Sequence, residues 1–88
     1  MNQIKKGMFA RSLAGHDKGQ LYVIWDYDET YVYLTDGRIR TVDRLKKKKR
    51  KHVQVSAEIA QISEQCQTAV QSVIDMEIRK AIKVKEDK

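Results

Sequence analysis

The segment QLYVIWDYDETYVYLTDG, residues 20–37, decides the fold. Its β-branched and aromatic residues fall into two short runs, Gln20 to Asp26 and Thr30 to Thr35, with the composition that a half-buried pleated surface favours. In TYVYLT, Tyr31 and Tyr33 alternate with Val32 and Leu34, so one face of that strand is core. Asp26 to Glu29 closes the turn between the runs. Asp36-Gly37 follows the second run and is a strong hairpin signal, because a type I′ turn needs positive φ at both central residues.

Working outward, Met8 to Leu13 reads as a strand before this segment, with Arg38 to Val42 and a short His52 to Val55 after it. In RIRTV, Arg38 and Arg40 oppose Ile39. Between the first two strands, Ala14-Gly15-His16-Asp17-Lys18-Gly19 carries two glycines, which admit backbone conformations that a Cβ forbids. Five strands this short, with connections this tight, bury a face only by curling into a small barrel. Trp25, in a run of Val and Ile, belongs to its core, whereas Tyr27 and Tyr33 are the aromatic residues expected at the surface.

From Ser56 the period changes. Ile59, Ile62, Cys66, Ala69, Val73 and Met76 recur at spacings of three and four, a helical stripe, while Gln61, Glu64, Gln65, Gln67, Gln71 and Asp75 form a polar face. Ser56 is the expected N-cap and Arg79, Lys80, Lys83 and Lys85 suit the C-terminal end of the dipole. The expectation is one helix from about Ala57 to Ile82, roughly 39 Å long at ~1.5 Å per residue. Residues 1–55 thus form the barrel, and 56–88 a helix with a short charged tail. Its stripe folds back on the barrel or meets a second copy or a partner protein, and Cys66 is a seam residue rather than a reactive thiol.

Charge divides along the same line. The 88 residues carry 18 Lys and Arg against 12 Asp and Glu, a formal +6. Residues 1–52 hold 13 of the basic and 6 of the acidic groups, leaving the remainder slightly acidic. Such an excess points to a phosphate-rich partner. Its centre is Lys46-Lys47-Lys48-Lys49-Arg50-Lys51, expected to be a crossover pinned between the fourth and fifth strands, where anchoring lowers the ordering cost of binding. If about five phosphates are neutralised, log affinity falls with log salt at a slope of about −3.5 to −4.5. A single cysteine makes no internal disulfide, and neither a membrane-length apolar run nor a signal-peptide pattern is present, so the expected location is cytoplasmic with no membrane partner.

The order of features, a strand after Gly7, the turn AGHDKGQ, the strand LYVIWD, the hairpin signal TDGR and then LKKKKRKH, resembles the KOW domains of ribosomal proteins and of bacterial elongation factors of the NusG type. It is most similar to small KOW-domain RNA-binding proteins related to an archaeal and eukaryotic large-subunit ribosomal protein. The resemblance covers roughly residues 5–55, with Gly19 at the place of the motif's key glycine. It implies an SH3-like five-stranded barrel and binding of RNA, ribosomal RNA or a ribosome-associated complex above all. The expected contacts are Arg11, Gly15, His16, Lys18, Gly19, Arg38, Arg40, Arg44, the run Lys46, Lys47, Lys48, Lys49, Arg50 and Lys51, and His52. Backbone N–H groups at the glycines approach phosphate, and guanidiniums fork onto phosphate or stack on bases.

No catalytic, cofactor or metal site is expected. His16 and His52 have no acidic partner at a catalytic or metal spacing, and DYDE at 26–29 lacks the ligand loop of a calcium site, which leaves it an acidic turn. The rival to RNA binding is an adaptor that uses barrel and helix to join a transcription or translation assembly.

Overall fold

A computed structural model describes residues 4–60 and 71–87. The strands are β1 (Met8–Ser12), β2 (Leu21–Tyr27), β3 (Tyr31–Thr35), β4 (Lys46–Lys49) and β5 (Val53–Ile59), with a 3-10 turn at Arg50–His52, and the helix is α1 (Gln71–Glu86). They form one five-stranded antiparallel sheet in the order β4-β3-β2-β1-β5, a meander whose last strand returns to the first.

The sheet is not flat. Edge strands β4 and β5 lie four strand spacings apart, about 19 Å in a flat sheet, yet Lys49 and Val53 are joined only by the 3-10 turn, and four residues reach about 14 Å fully extended. The sheet therefore curls. The β1–β5 register shifts between Met8 and Ala10, whose partners Ile59 and Val55 leave the extra residues on β5, and the β2–β3 register shifts between Ile24 and Asp26, leaving one on β2; both are bulges that sharpen the bend.

Curling creates two cores. The concave side buries Ile4, Met8, Ala10, Tyr22, Ile24, Val32, Leu34 and Val53. On the convex side Phe9, Leu21 and Val23 meet Ala60 and Ile78, with Trp25, Val42, Ile74, Ala81 and Ile82 around them. The helix thus folds back onto the sheet. The alternation Tyr31/Tyr33 against Val32/Leu34 is as expected: the aliphatic pair is fully buried and the tyrosines half-buried.

Several sequence expectations are overturned. Arg38 to Val42 is not a strand, and Asp36-Gly37 is not a type I′ turn: Gly37 has φ +73° but no other residue type has positive φ among the described residues. Asp36 instead closes a loop, its carboxylate accepting the N–H groups of Arg38 at 2.8 Å and Arg40 at 3.0 Å. The fourth strand is the lysine run itself, Lys46–Lys49, which is therefore no loop. Lysine has low strand propensity, but alternate stems cover the concave core, and ammonium groups on an edge strand discourage pairing with another chain.

Residues 56–59 continue β5, so Ser56 is not a helix N-cap; its hydroxyl accepts the Glu58 N–H inside the strand. Ile62, Cys66 and Ala69 lie outside the described residues. Within α1 the expected stripe points outward: Val73 and Met76 are exposed, while Ile78 and Asp75, assigned to the polar face, are buried. Asp75 is buried because its carboxylate accepts the Val42 N–H at 3.0 Å, tying α1 to the 36–45 loop. Gly37 permits that contact, since a Cβ there would collide with the Asp75 carbonyl oxygen and stand 2.9 Å from Arg79 Cγ.

Candidate nucleic-acid interface

Cross-strand partners share a face, so pairing of Val32 with Lys48 and Leu34 with Lys46 turns those two lysines to the concave side. Lys47 and Lys49, opposite Tyr33 and Tyr31, stand on the convex side. This alternation splits the basic run in two.

The concave half is consumed internally. Lys48 donates to the Ala14 carbonyl at 2.8 Å and to Asp17 Oδ1 at 3.0 Å, and Lys46 lies 3.1 Å from Asp17 Oδ2. The Ser12 hydroxyl and the Tyr22 hydroxyl complete the set, at 2.9 and 2.7 Å. Asp17 is thus the clasp between edge strand β4 and the β1–β2 loop. Burial alone would raise its pKa, but the hydrogen bonds from Tyr22, Lys48, Ser12 and Lys46 outweigh it and hold the carboxyl well below its ordinary range. Burial and the bond to Asp17 push the Tyr22 phenol far up.

Two further expected contacts are occupied. Arg50 donates to the carbonyls of Asp28 and Glu29, fastening the 3-10 turn to the β2–β3 turn. Arg11 donates to the Gly19 carbonyl at 2.7 Å and pairs with Glu86 at 3.3 Å. The DYDE turn is closed by Asp28, whose carboxylate accepts the N–H groups of Thr30 and Tyr31 and the Tyr33 hydroxyl. Those backbone bonds lower the Asp28 pKa, and the bond to Asp28 raises that of Tyr33.

The other expected basic residues are exposed. Lys18, Arg38, Arg40, Arg44, Lys47, Lys49 and Lys51 enter no ion pair among the described residues, although Lys47 lies over the Tyr31 ring at 4.2 Å. His16 is exposed and His52 half-buried, its carbonyl accepting the Leu13 N–H. The loops 14–20 and 36–45 emerge at the same end of the meander, where Gln20 Nε2 donates to Asp36 Oδ2 at 2.9 Å. Gly15 and Gly19 have φ of +87° and +90°, and Lys48 Nζ would stand 3.5 Å from a Cβ at Gly15. The glycine turn and the basic strand are therefore neighbours, but the lysines nearest the turn are those that Asp17 neutralises.

Sequence reasoning missed Asp17, which it treated as a turn residue, and Tyr31 as a partner for Lys47. The alternation of the lysine strand would have separated the two halves of the run, had it been read as a strand. No group of three or more His, Cys, Asp or Glu capable of holding a metal occurs among the described residues. No described helix is long and apolar enough to cross a membrane. Neither a scan against models of known protein families nor a search of curated proteins found a match.

Proposed function

We propose that this chain is a noncatalytic RNA-binding module of the KOW type, its curled sheet an SH3-like barrel, which grips the phosphate backbone of ribosomal RNA or a ribosome-associated complex. The observation that carries this reading is the set of exposed cations left after internal pairing: Lys18, Arg38, Arg40 and Arg44 on two adjoining loops, and Lys47, Lys49 and Lys51 on and after the convex face of β4. Such groups supply salt-dependent attraction to phosphates, and a pinned scaffold limits the entropy lost on binding. The Lys46/Lys48 pair contributes to this indirectly, by holding β4 in place.

The test is salt-titrated binding to ribosomal RNA and to random RNA of equal length. Changing Lys47, Lys49 and Lys51 together to Gln should weaken both and reduce the magnitude of the salt slope by about 2 to 3. An unchanged slope would remove the phosphate-contact reading. A second reading, a protein adaptor, draws on the outward Val73, Met76 and Val84 of α1. Equal, weak affinity for both RNAs would favour it.

A further inference from the structure

Ile39, which opposes Arg38 and Arg40 in the supposed fourth strand, is 80% exposed. Single exposed aliphatic side chains are ordinary, but this one sits on a loop fixed from several sides. The Asp36 N–H donates to the Arg40 carbonyl at 3.0 Å, closing the backbone around residues 37–39. The same carbonyl accepts the Thr35 hydroxyl at 2.6 Å, and Asp36 Oδ1 takes the N–H groups of both Arg38 and Arg40. Arg79 donates to the Gly37 carbonyl from α1. An aliphatic side chain is therefore held out in water between two exposed guanidiniums that enter no ion pair among the described residues.

From this geometry we infer that Arg38-Ile39-Arg40 is a reading tip for RNA that contains unpaired nucleotides, with Ile39 inserting against a splayed base and the arginines engaging the flanking phosphates or base planes. This rests on the RNA-binding reading above and narrows its substrate. An uninterrupted A-form helix offers such a tip little apolar surface, because its major groove is deep and narrow and its minor groove is lined with 2′-hydroxyls. Unstacked loops and bulges expose base faces. Apolar side chains flanked by basic ones are used in the same way as wedges at base steps. Because the backbone is already fixed, little ordering cost opposes insertion. The charge of the flanking residues favours a nucleic acid over an apolar protein groove, where two unpaired guanidiniums would have to be desolvated.

The experiment compares two RNAs of equal length and charge, a perfect duplex and a hairpin whose loop carries 2-aminopurine, against the full chain and its Ile39→Ser and Arg38→Gln/Arg40→Gln variants. The full chain should bind the hairpin more tightly and raise the 2-aminopurine emission as the base unstacks. Ile39→Ser should weaken hairpin binding about tenfold, the scale of one buried aliphatic side chain, while leaving duplex affinity and the salt slope unchanged. The double arginine variant should weaken both RNAs and flatten the slope. Thermal melting checks integrity, and Ile39→Ser should melt as the parent does. Equal binding of the hairpin by Ile39→Ser and the parent, or an emission change that survives the substitution, overturns the inference. Failure of the parent to bind either RNA would instead sink the RNA-binding reading itself.

Discussion

Changing Asp17 to Asn keeps the size of the side chain and removes the charge that faces Lys46 and Lys48. The Asp17 side chain is only 9% exposed and that of Lys48 11%, so solvent screens the Asp17–Lys48 pair weakly, although Lys46 is 27% exposed. Breaking a buried ion pair from one side costs about 3–5 kcal/mol. The amide oxygen of Asn still accepts one donor, which favours the lower end, about 3 kcal/mol. For a domain of this size 1 kcal/mol moves the melting temperature by about 4–8 °C, so Asp17→Asn should lower it by about 12–24 °C. Pairing it with Lys48→Met should recover part of the loss, because the unpaired ammonium is then gone. A carboxyl whose folded-state pKa is depressed contributes stability that is present above the unfolded value near 4 and is lost as pH falls below it. Asp17, and the exposed Asp28 and Asp43 with the same direction of shift, act together here. Stability of the parent should decline in acid, and Asp17→Asn should flatten that decline. A melting temperature within about 4 °C of the parent, with an unaltered acid limb, would refute the clasp between β4 and the β1–β2 loop.

Gly37→Ala should destabilise by at least about 1–3 kcal/mol, since it adds both positive-φ strain and a collision with the Asp75 carbonyl; thermal melting reads the loss, with fluorescence of Trp25, packed against the α1-facing core, reporting loosening of the helix. A parent-like melt would show that α1 does not approach the 36–45 loop so closely. Tyr22 has a raised pKa, so its contribution is full below about pH 10 and is lost as pH rises through the folded value. Absorbance of tyrosinate should therefore include a late component that coincides with alkaline unfolding and disappears in Tyr22→Phe. Lys46→Gln/Lys48→Gln should lower the melting temperature with little direct effect on the salt slope, whereas Lys47→Gln/Lys49→Gln should flatten the slope and melt normally; the reverse assignment would mean that the two faces of β4 have been exchanged.

Most of the strand layout was legible because it follows from local chemistry. The alternation in TYVYLT, the aliphatic run of LYVIW and the glycine-bearing turn at 14–19 place β1, β2 and β3 within a residue or so of their observed ends. The lysine run was misread because its conformation is not set by its own residues. Lysine does not favour strands, and Lys46–Lys49 is extended because β3 offers an edge and Asp17 offers a counter-charge. Asp36-Gly37 misled for a related reason: the pair suits a hairpin, but the Gly37 backbone is used for close approach of a helix more than thirty positions away. The basic candidates are visible in the sequence, but the division of the lysine run into paired and unpaired residues depends on which side of a strand each one falls.

By itself, the sequence determined that the protein is mainly β, that a helix follows the sheet, and that an excess of positive charge lies in residues 1–52, since propensity, periodicity and charge are properties of neighbours along the chain. Only the tertiary structure decided that Asp17 withdraws Lys46 and Lys48 from the surface, that Asp75 rather than Met76 faces inward, and that Ile39 stands in solvent between two arginines. Those outcomes arise where segments distant in sequence meet, and a residue's burial or free charge is set by the partner that arrives there.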